Sequence, residues 1–289
     1  MQRFIRLFFA MKKIQEIRSA ANPSVRLVSA VVHTQRRAAK EGLFTVEGLR
    51  IAEMAASSDW RIRHAFVTER VLTGERTRAL VELLVERGIP AALVSETIFS
   101  TLAETEHPQG IVLLAERRER GALDALAAGR SADEPPLYIV LDRVQDPGNV
   151  GTILRTADAV GVTGVILLRG SADIYSGKVI RATMGSLFHV PFVTGVTAEE
   201  LAGFAQKEDL QLLATACDET AETHFSMDFR RGTIVVFGNE ANGVSEEILN
   251  ASQHIYIPMR GSAESLNVAT AVTAVLYEAL RQRCWEGNP

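Results

Sequence analysis

Apolar residues along this chain follow two periods, and the two alternate. Short runs dominated by Val, Ile and Leu predict strands at 137–142, 162–168, 210–216, 232–238 and 254–259. Between them, apolar residues recur every three or four positions, which predicts helices near 150–161, 178–187 and 198–208, a short one from Ser245, and a long one at the end. Because these strand runs are almost continuously apolar, we expect burial on both faces, as in a parallel sheet.

The first part of the chain shows the same alternation on a smaller scale. One helix is expected over 22–42, with Val25, Val28 and Val32 on its apolar face. Strands are expected at 43–47, 62–68, 89–95 and 111–116, with helices after the first two. Such an alternation predicts a small α/β domain ahead of the larger one.

Residues 116–136 lack a sustained period and end in a double proline, which predicts a linker. The expected organisation is therefore an extension at 1–15, a first domain at 16–115, the linker, and a second domain at 137–285. The Arg-rich first ten residues fit either a targeting segment or a start codon placed too early, and both interpretations stay open.

Composition narrows the class of protein. No uninterrupted apolar run reaches the roughly 18 residues of a membrane span, so we expect no membrane segment. Cys217 and Cys284 form no CxxC pair, which indicates a reducing compartment, taken as the cytoplasm. The six histidines are scattered, so no metal site is predicted.

Charge is divided unevenly. Residues 1–120 contain 19 Lys and Arg against 14 Asp and Glu, whereas residues 121–289 contain 12 against 21. Arg36, Arg37 and Lys40 gather at the end of the first predicted helix. A basic part on an acidic chain indicates a polyanion bound by that part alone, although a solvated basic surface fits equally.

Three loops that follow buried strands carry the candidate chemistry, because ligands of open α/β sheets bind at that edge. In "LDRVQDPGN" we expect Asn149 to cap the next helix, with Asp142, Arg143 and Arg155 around the junction. This set suits a phosphate or ribose hydroxyl, and an ordinary turn also explains it.

The second and third loops are equally ambiguous when taken singly. In "FGNEANGVS", Gly238 permits a ligand to approach the backbone closely, and Glu240 lies just past the strand. In "RGSAESLNV", helix capping explains either Ser265 or Asn267 but not both. No GxGxxG follows the first strand of either domain, and GxxxxGK[ST], HExxH and GxSxG are missing, which disfavours dinucleotide, P-loop, zincin and serine-hydrolase sites.

Together, "DRVQDPGNVGTILRTADAVG", "VVFGNEANGVS" and "IPMRGSAESLNVATAVTAVLYEAL" closely resemble the three motifs of the SpoU/TrmH RNA 2′-O-ribose methyltransferases of the SPOUT superfamily. The motifs occur in the family's order across 137–283. The first domain resembles the family's accessory RNA-binding domain through "GLFTVEGLR" and "HPQGIVLL". The resemblance implies a mostly parallel sheet tied in a trefoil knot, a smaller α/β RNA-binding domain, and a homodimer.

The resemblance also implies a cofactor and a set of site residues. S-adenosylmethionine would be held by Gly238, Ile257 and Leu266, and the reacting centre would be lined by Asn149, Arg155, Glu240, Ser265 and Asn267. Arg155 would contact the ribose and phosphate, and we keep open that it takes the proton. Arg36, Arg37, Lys40 and Arg143 are the residues expected to contact RNA.

The expected activity is methyl transfer to a ribose 2′-hydroxyl, with rRNA favoured over tRNA because the accessory domain is typical of rRNA-directed members. Two alternatives are an inactive RNA-binding ribosome-assembly factor and a nucleotide-binding metabolic enzyme. The complete motif residues disfavour the first, and the missing phosphate loops disfavour the second.

Overall fold

The computed structural model describes residues 14–118, 121–129, 134–216 and 221–284. Its strands are β1 Gln15–Ile17, β2 Leu43–Glu47, β3 Ile62–Val67, β4 Ala91–Val94, β5 Ile111–Glu116, β6 Leu137–Asp142, β7 Gly164–Leu168, β8 Phe192–Val196, β9 Gln211–Thr215, β10 Glu222–Thr223, β11 Thr233–Gly238 and β12 Gln253–Tyr256.

The helices are α1 Pro23–His33, α2 Gln35–Glu41, α3 Leu49–Ser57, α4 Glu75–Glu86, α5 Glu96–Phe99, α6 Leu123–Ala128, α7 Pro147–Val160, α8 Gly177–Thr183, α9 Ala198–Lys207, α10 Glu246–Leu249 and α11 Val268–Cys284. Short 3₁₀ turns occupy Glu69–Thr73, Ser186–Phe188 and His224–Ser226.

The chain forms two compact units. The first runs up to Arg118 and also takes in Tyr175–Phe188, while the second comprises 119–174 and 189 onwards. The expected extension lies outside the described residues as far as position 13, and β1 begins at Gln15. The expected linker contains α6, whose Leu126 and Ala127 are buried in the core of the second unit.

The first unit is built on a five-stranded sheet in the order β1-β4-β3-β5-β2. Strand β5 runs antiparallel to β2 and β3, and the remaining pairs are parallel. Phe66, Val112 and Leu114 lie in its core, which α1 and α2 cover with Val25, Val28 and Ala38. The small α/β fold expected for this part of the chain is present.

The apolar pattern predicts one helix over 22–42, but the structure has two, α1 and α2. Thr34 separates them with an extended backbone (φ −139°, ψ 97°), a conformation in which a β-branched residue is favoured. The buried face of α1 consists of Val25, Val28 and Val31. Val32, expected on that face, is half-buried.

A segment from late in the chain completes the first unit. Tyr175 packs its ring 5.1 Å from that of Phe44, and Phe188 packs 5.4 Å from Trp60. Gly185 lies so close to Met54 that a Cβ there would meet the sulfur at 2.1 Å. The connection between β7 and β8 is therefore part of the core of the first unit, which the sequence pattern does not predict.

The second unit is a seven-stranded sheet in the order β10-β12-β9-β11-β6-β7-β8, and every described pair is parallel. Its central strands are buried along their whole length, as their Val/Ile-rich sequences require. From β6 the chain continues to β7 on one side, whereas β11 occupies the other side. This reversal of strand order at β6 marks the sheet edge where ligands are expected.

The final helix, α11, packs against α7, and Thr156 Oγ1 lies 3.3 Å from Thr273 Oγ1. Leu276 of α11 is fully buried within its own unit. Tyr277 of α11 is an exposed large hydrophobic residue, at 51%. Among the described helices, none combines the length and apolar character needed to cross a membrane.

Candidate active site

Two of the candidate loops leave the sheet side by side. Strands β6 and β11 pair in parallel over six residues, and the last pair is Asp142 with Gly238. The loops that follow these residues therefore start next to each other at the carboxyl edge. This placement results from strand order, which no local sequence pattern contains.

The start of α7 is capped by Asp146 and not, as expected, by Asn149. The Asp146 carboxylate accepts the backbone N–H of Asn149 at 2.8 Å, and Pro147 occupies the first helical turn, where its missing N–H costs nothing. Because Asp146 provides the cap, the side chain of Asn149 remains available for other contacts.

Asn149 connects all three loops. Its Nδ2 donates to Oε1 of Glu240 at 2.9 Å, and its Oδ1 accepts a hydrogen bond from Nδ2 of Asn267 at 3.0 Å. We call Glu240, Asn149 and Asn267 the amide relay. Three of the five residues expected around the reacting centre are thus brought into direct contact.

Asn267 also caps α11. Its Oδ1 accepts the backbone N–H groups of Ala269 at 2.9 Å and Thr270 at 3.4 Å. Capping was expected to explain either Ser265 or Asn267, and the structure assigns it to Asn267. The same side chain therefore starts the helix with its oxygen and reaches the relay with its nitrogen.

Gly238 is required by the chain's own backbone. A Cβ at this position would lie 2.0 Å from the carbonyl carbon of Gly243 and 2.1 Å from the nitrogen of Val244. The loop after β11 turns back on itself here, with Asn239 and Gly243 exchanging two backbone hydrogen bonds of 3.0 and 2.9 Å. The sequence predicted that a ligand approaches the backbone at Gly238, and in the structure the space beside Gly238 is occupied by Gly243 and Val244 of the same loop.

Arg143, a predicted RNA contact, has a left-handed backbone (φ 57°). Its Nε donates to the buried carboxylate of Asp142 at 3.1 Å, and its side chain is 43% exposed. Asn239 donates from Nδ2 to the Arg143 carbonyl at 2.8 Å. Sequence reasoning passed over Asn239, although its place between Gly238 and Glu240 was a usable clue.

The third loop offers unused backbone groups. From Ile257 to Leu266, no N–H or C=O hydrogen-bonds to any residue in the described part of the chain. Met259 and Leu266 expose 37% and 36% of their surface there. Free backbone donors and acceptors beside exposed apolar side chains fit a ligand with a flat apolar ring and polar edges.

Arg155 and Ser265 are exposed and make no hydrogen bond to any residue that the structure describes. Arg155 follows Asn149 by six residues, which places it about 240° around the axis of α7. The structure therefore does not join these two residues to the amide relay. Both side chains remain free for contacts outside this chain.

In the first unit, the three residues predicted to contact RNA differ in whether an acidic side chain already pairs with them. Arg37 forms a 2.7 Å ion pair with Glu41. Arg36 and Lys40 are exposed and have no acidic partner among the described residues. In the same ranges, no group of three or more His, Cys, Asp or Glu side chains is arranged to hold a metal ion.

Comparison with protein families assigns both units. Residues 136–277 match the SpoU rRNA Methylase family, and residues 22–113 match the MRM3-like substrate binding domain. These spans correspond to most of the second and first units.

Individual relatives extend the match over nearly the whole chain. An uncharacterized tRNA/rRNA methyltransferase of Synechocystis is 34% identical, covering 96% of this chain and 97% of the relative. The 23S rRNA (guanosine(2553)-2′-O)-methyltransferase RlmP of Bacillus subtilis is 32% identical over 91% of this chain and 98% of its own.

Solved structures agree. An AdoMet-bound rRNA methyltransferase from Sinorhizobium meliloti superposes with a TM-score of 0.81 at 30% identity, over 93% of this chain and 98% of that one. The SpoU methyltransferase AviRb of Streptomyces viridochromogenes, in complex with AdoMet, gives 0.79 at 30% identity, over 92% and 100%. The chain belongs to the SpoU rRNA methylase family.

Proposed function

We propose that this protein transfers a methyl group from S-adenosylmethionine to a ribose 2′-hydroxyl of rRNA. The observation that carries the proposal is the amide relay, which joins the three motif loops of a SpoU family member at one sheet edge. The rRNA substrate is supported by relatives named as 23S rRNA 2′-O-methyltransferases.

We place the methyl donor against the third loop and the end of β11. Gly238, Ile257 and Leu266 would hold it, the last two through backbone groups that are unpaired within the described residues and through the apolar surface of Leu266. When bound, the donor supplies a methyl group on a positively charged sulfur, so the leaving group is already activated. The protein then has to orient the hydroxyl and help it lose its proton.

The five residues expected at the reacting centre divide into two kinds. Glu240, Asn149 and Asn267 hold one another and fix the shape of the site. Arg155 and Ser265 are exposed and would meet the RNA. Because an arginine stays protonated, we assign Arg155 an electrostatic role, in which its guanidinium stabilises the developing alkoxide.

RNA binding is assigned to both units. Arg36 and Lys40 would contact phosphates, with a smaller contribution from Arg37 because Glu41 already pairs with it. Arg143 would contribute at the reacting edge through the exposed part of its side chain. Phosphate contacts supply affinity, and the choice of nucleotide must come from other groups.

We further propose that the protein acts as a homodimer in which Arg155 serves the partner's site. Arg155 lies about 120° from Asn149 by the shorter way around α7, on a different face of the helix, and this supports the proposal. The exposed Tyr277 of α11 offers apolar surface for the association. The trefoil knot and the cytoplasmic location stay predictions.

The dimer proposal has a direct test by complementation. Arg155→Ala and Asn149→Ala homodimers should each be inactive, whereas a mixed dimer should regain up to about half of the activity per dimer because one site keeps both groups. A mixed dimer as inactive as its parents, or sedimentation as a monomer at working concentration, would place Arg155 in its own chain's site or remove it from the reaction.

The activity itself is tested by mapping 2′-O-methyl groups across rRNA and tRNA in a deletion strain and its parent. We expect one rRNA ribose to lose its methyl group and to regain it with the wild-type gene but not with Arg155→Ala. A loss of methylation confined to tRNA would indicate that tRNA, and not rRNA, is the substrate. Purified protein that fails to bind S-adenosylmethionine would favour the inactive assembly factor.

A further inference from the structure

Asp142 is a buried carboxylate that no proposed step uses. It ends β6 with its side chain only 3% exposed. Oδ2 accepts the backbone N–H of Ser245 at 2.6 Å, and Oδ1 accepts Nε–H of Arg143 at 3.1 Å. One oxygen therefore holds the far end of the loop after β11, and the other holds the first residue after β6.

The near end of the same loop is fixed from the same place. Arg143 has its left-handed backbone, and its carbonyl accepts Nδ2 of Asn239 at 2.8 Å. Oδ1 of Asn239 then accepts the backbone N–H groups of Ala241 at 2.9 Å and Asn242 at 3.2 Å. The amide of Asn239 is thereby fully oriented and shapes the turn.

Glu240 lies between these two attachments. The loop is held at Asn239 by Arg143 and at Ser245 by Asp142, and Gly238 brings it against its own backbone. Glu240 is exposed and projects from this clamped loop to accept the amide of Asn149. Its position relative to α7 therefore depends on the attachments at both ends.

We propose that Asp142 is a positioning residue for methyl transfer: it clamps the loop after β11 so that Glu240 holds the amide relay in register. Asn239 is the second half of the clamp. This inference rests on the proposed function and deepens it, since the buried Asp142 would act on the reaction through Glu240.

The test variant is Asp142→Asn, which keeps the shape but converts one acceptor oxygen into a donor. The new NH₂ would face either the Ser245 N–H or the Arg143 Nε–H, so one attachment must open. Glu278→Gln is the matched control. Glu278 is also buried, in the same unit, and its carboxylate accepts hydrogen bonds from Arg281 and Gln282 away from the relay.

The measurement is single-turnover methylation of an rRNA fragment by the full-length protein at saturating donor. We expect Asp142→Asn to slow the step by about tenfold or more, since misplacement of a catalytic group by an ångström costs up to about a hundredfold. Glu278→Gln should stay within about twofold of wild type. Wild-type protein without activity would count against the proposed function and not against the clamp.

A double-mutant cycle separates positioning from general destabilisation. If Asp142 acts through Glu240, Asp142→Asn combined with Glu240→Ala, which removes the acceptor of the Asn149 amide, should be no slower than the slower single variant. Fully multiplicative effects, or an Asp142→Asn rate within twofold of wild type, would overturn the inference. If the Asp142→Asn variant does not fold, Asn239→Ala replaces it in the same cycle. This substitution releases the loop at its other attachment and leaves the buried charge of Asp142 unchanged.

Discussion

Asn267 donates its side-chain amide to the oxygen of Asn149 at 3.0 Å across 118 positions of sequence. The amide of Asn149 donates a hydrogen bond to Glu240, and an ionised carboxylate can only accept. The direction of every hydrogen bond in the relay is therefore fixed. The carboxylate orients Asn149, and Asn149 orients Asn267. The side-chain oxygen of Asn267 then caps the start of α11. A substitution that reverses one donor should therefore disturb the whole relay.

The first prediction concerns the direction of the hydrogen bond between Asn149 and Glu240. Asn149→Asp places a carboxylate against the Glu240 carboxylate and removes the donor, so single-turnover methylation should fall by about a hundredfold. Adding Glu240→Gln should restore part of the rate, because the glutamine amide can donate to the introduced carboxylate. A double variant no faster than Asn149→Asp would show that the pair does more than hold a hydrogen bond.

The second prediction separates the two tasks of Asn267. Asn267→Ser keeps a helix cap but removes the amide donated to Asn149, whereas Asn267→Ala removes both. We expect chemical denaturation to show a loss of about 1 kcal/mol in unfolding free energy for the alanine variant and much less for serine. Methylation should be impaired in both. Equal stability of the two variants would mean that the cap contributes little.

The third prediction concerns the basic helix α2. Arg36→Ala combined with Lys40→Ala should weaken rRNA binding and reduce the slope of log affinity against log salt by about 0.7–0.9 per lost phosphate contact. Arg37→Ala is the control with the same charge chemistry, and its effect should be smaller because Glu41 pairs with Arg37. An unchanged salt slope in the double variant would mean that RNA binds to another surface of the protein.

The fourth prediction tests the discontinuous first unit. A fragment from residue 121 onwards keeps Tyr175–Phe188 but loses the rest of that unit. Val179 and Ile180, which are buried in the intact chain, would then face water, so the fragment should aggregate on size-exclusion chromatography. The same fragment with Val179→Ser and Ile180→Lys should remain soluble. A soluble unmodified fragment would contradict this account.

The fifth prediction concerns acid stability. Burial lowers the pKa of His64 and of His224 below the unfolded value of about 6.5. Below that pH the unfolded chain binds more protons than the folded one, so the stabilisation is complete above about pH 6.5 and is lost as pH falls through the folded-state pKa values. Melting temperatures between pH 7.5 and 5.5 should fall, and His64→Gln with His224→Gln should flatten that decrease.

Much of the architecture follows from sequence because it depends on local periodicity. Strands buried on both faces favour apolar residues at nearly every position, and runs such as 137–141 and 234–237 are of that kind. The choice of site loops was similarly accessible, because each follows such a strand. The confirmed family adds the order of the motifs, which a single loop cannot provide.

The remaining features depend on partners distant in sequence. Asn149 was expected to cap its own helix, although Asp146 directly before Pro147 is a local signal for the cap. The contact of Asn149 with Glu240, 91 residues further along the chain, has no such local signal. The break at Thr34 and the role of Gly238 likewise depend on how segments pack. Local patterns name the residues that matter, and tertiary contacts decide what each one does.

The passage of Tyr175–Phe188 through the first unit limits how this protein can exchange parts with its relatives. A recombination event that swapped the sequence up to residue 118 would place a foreign sheet beneath a native helix α8 and mismatch the ring packing at Phe44 and Trp60. The smallest transferable form of the first unit is therefore discontinuous, consisting of the sequence up to residue 118 together with Tyr175–Phe188 from the connection between β7 and β8. Chimeras built to exchange the first unit should carry both pieces.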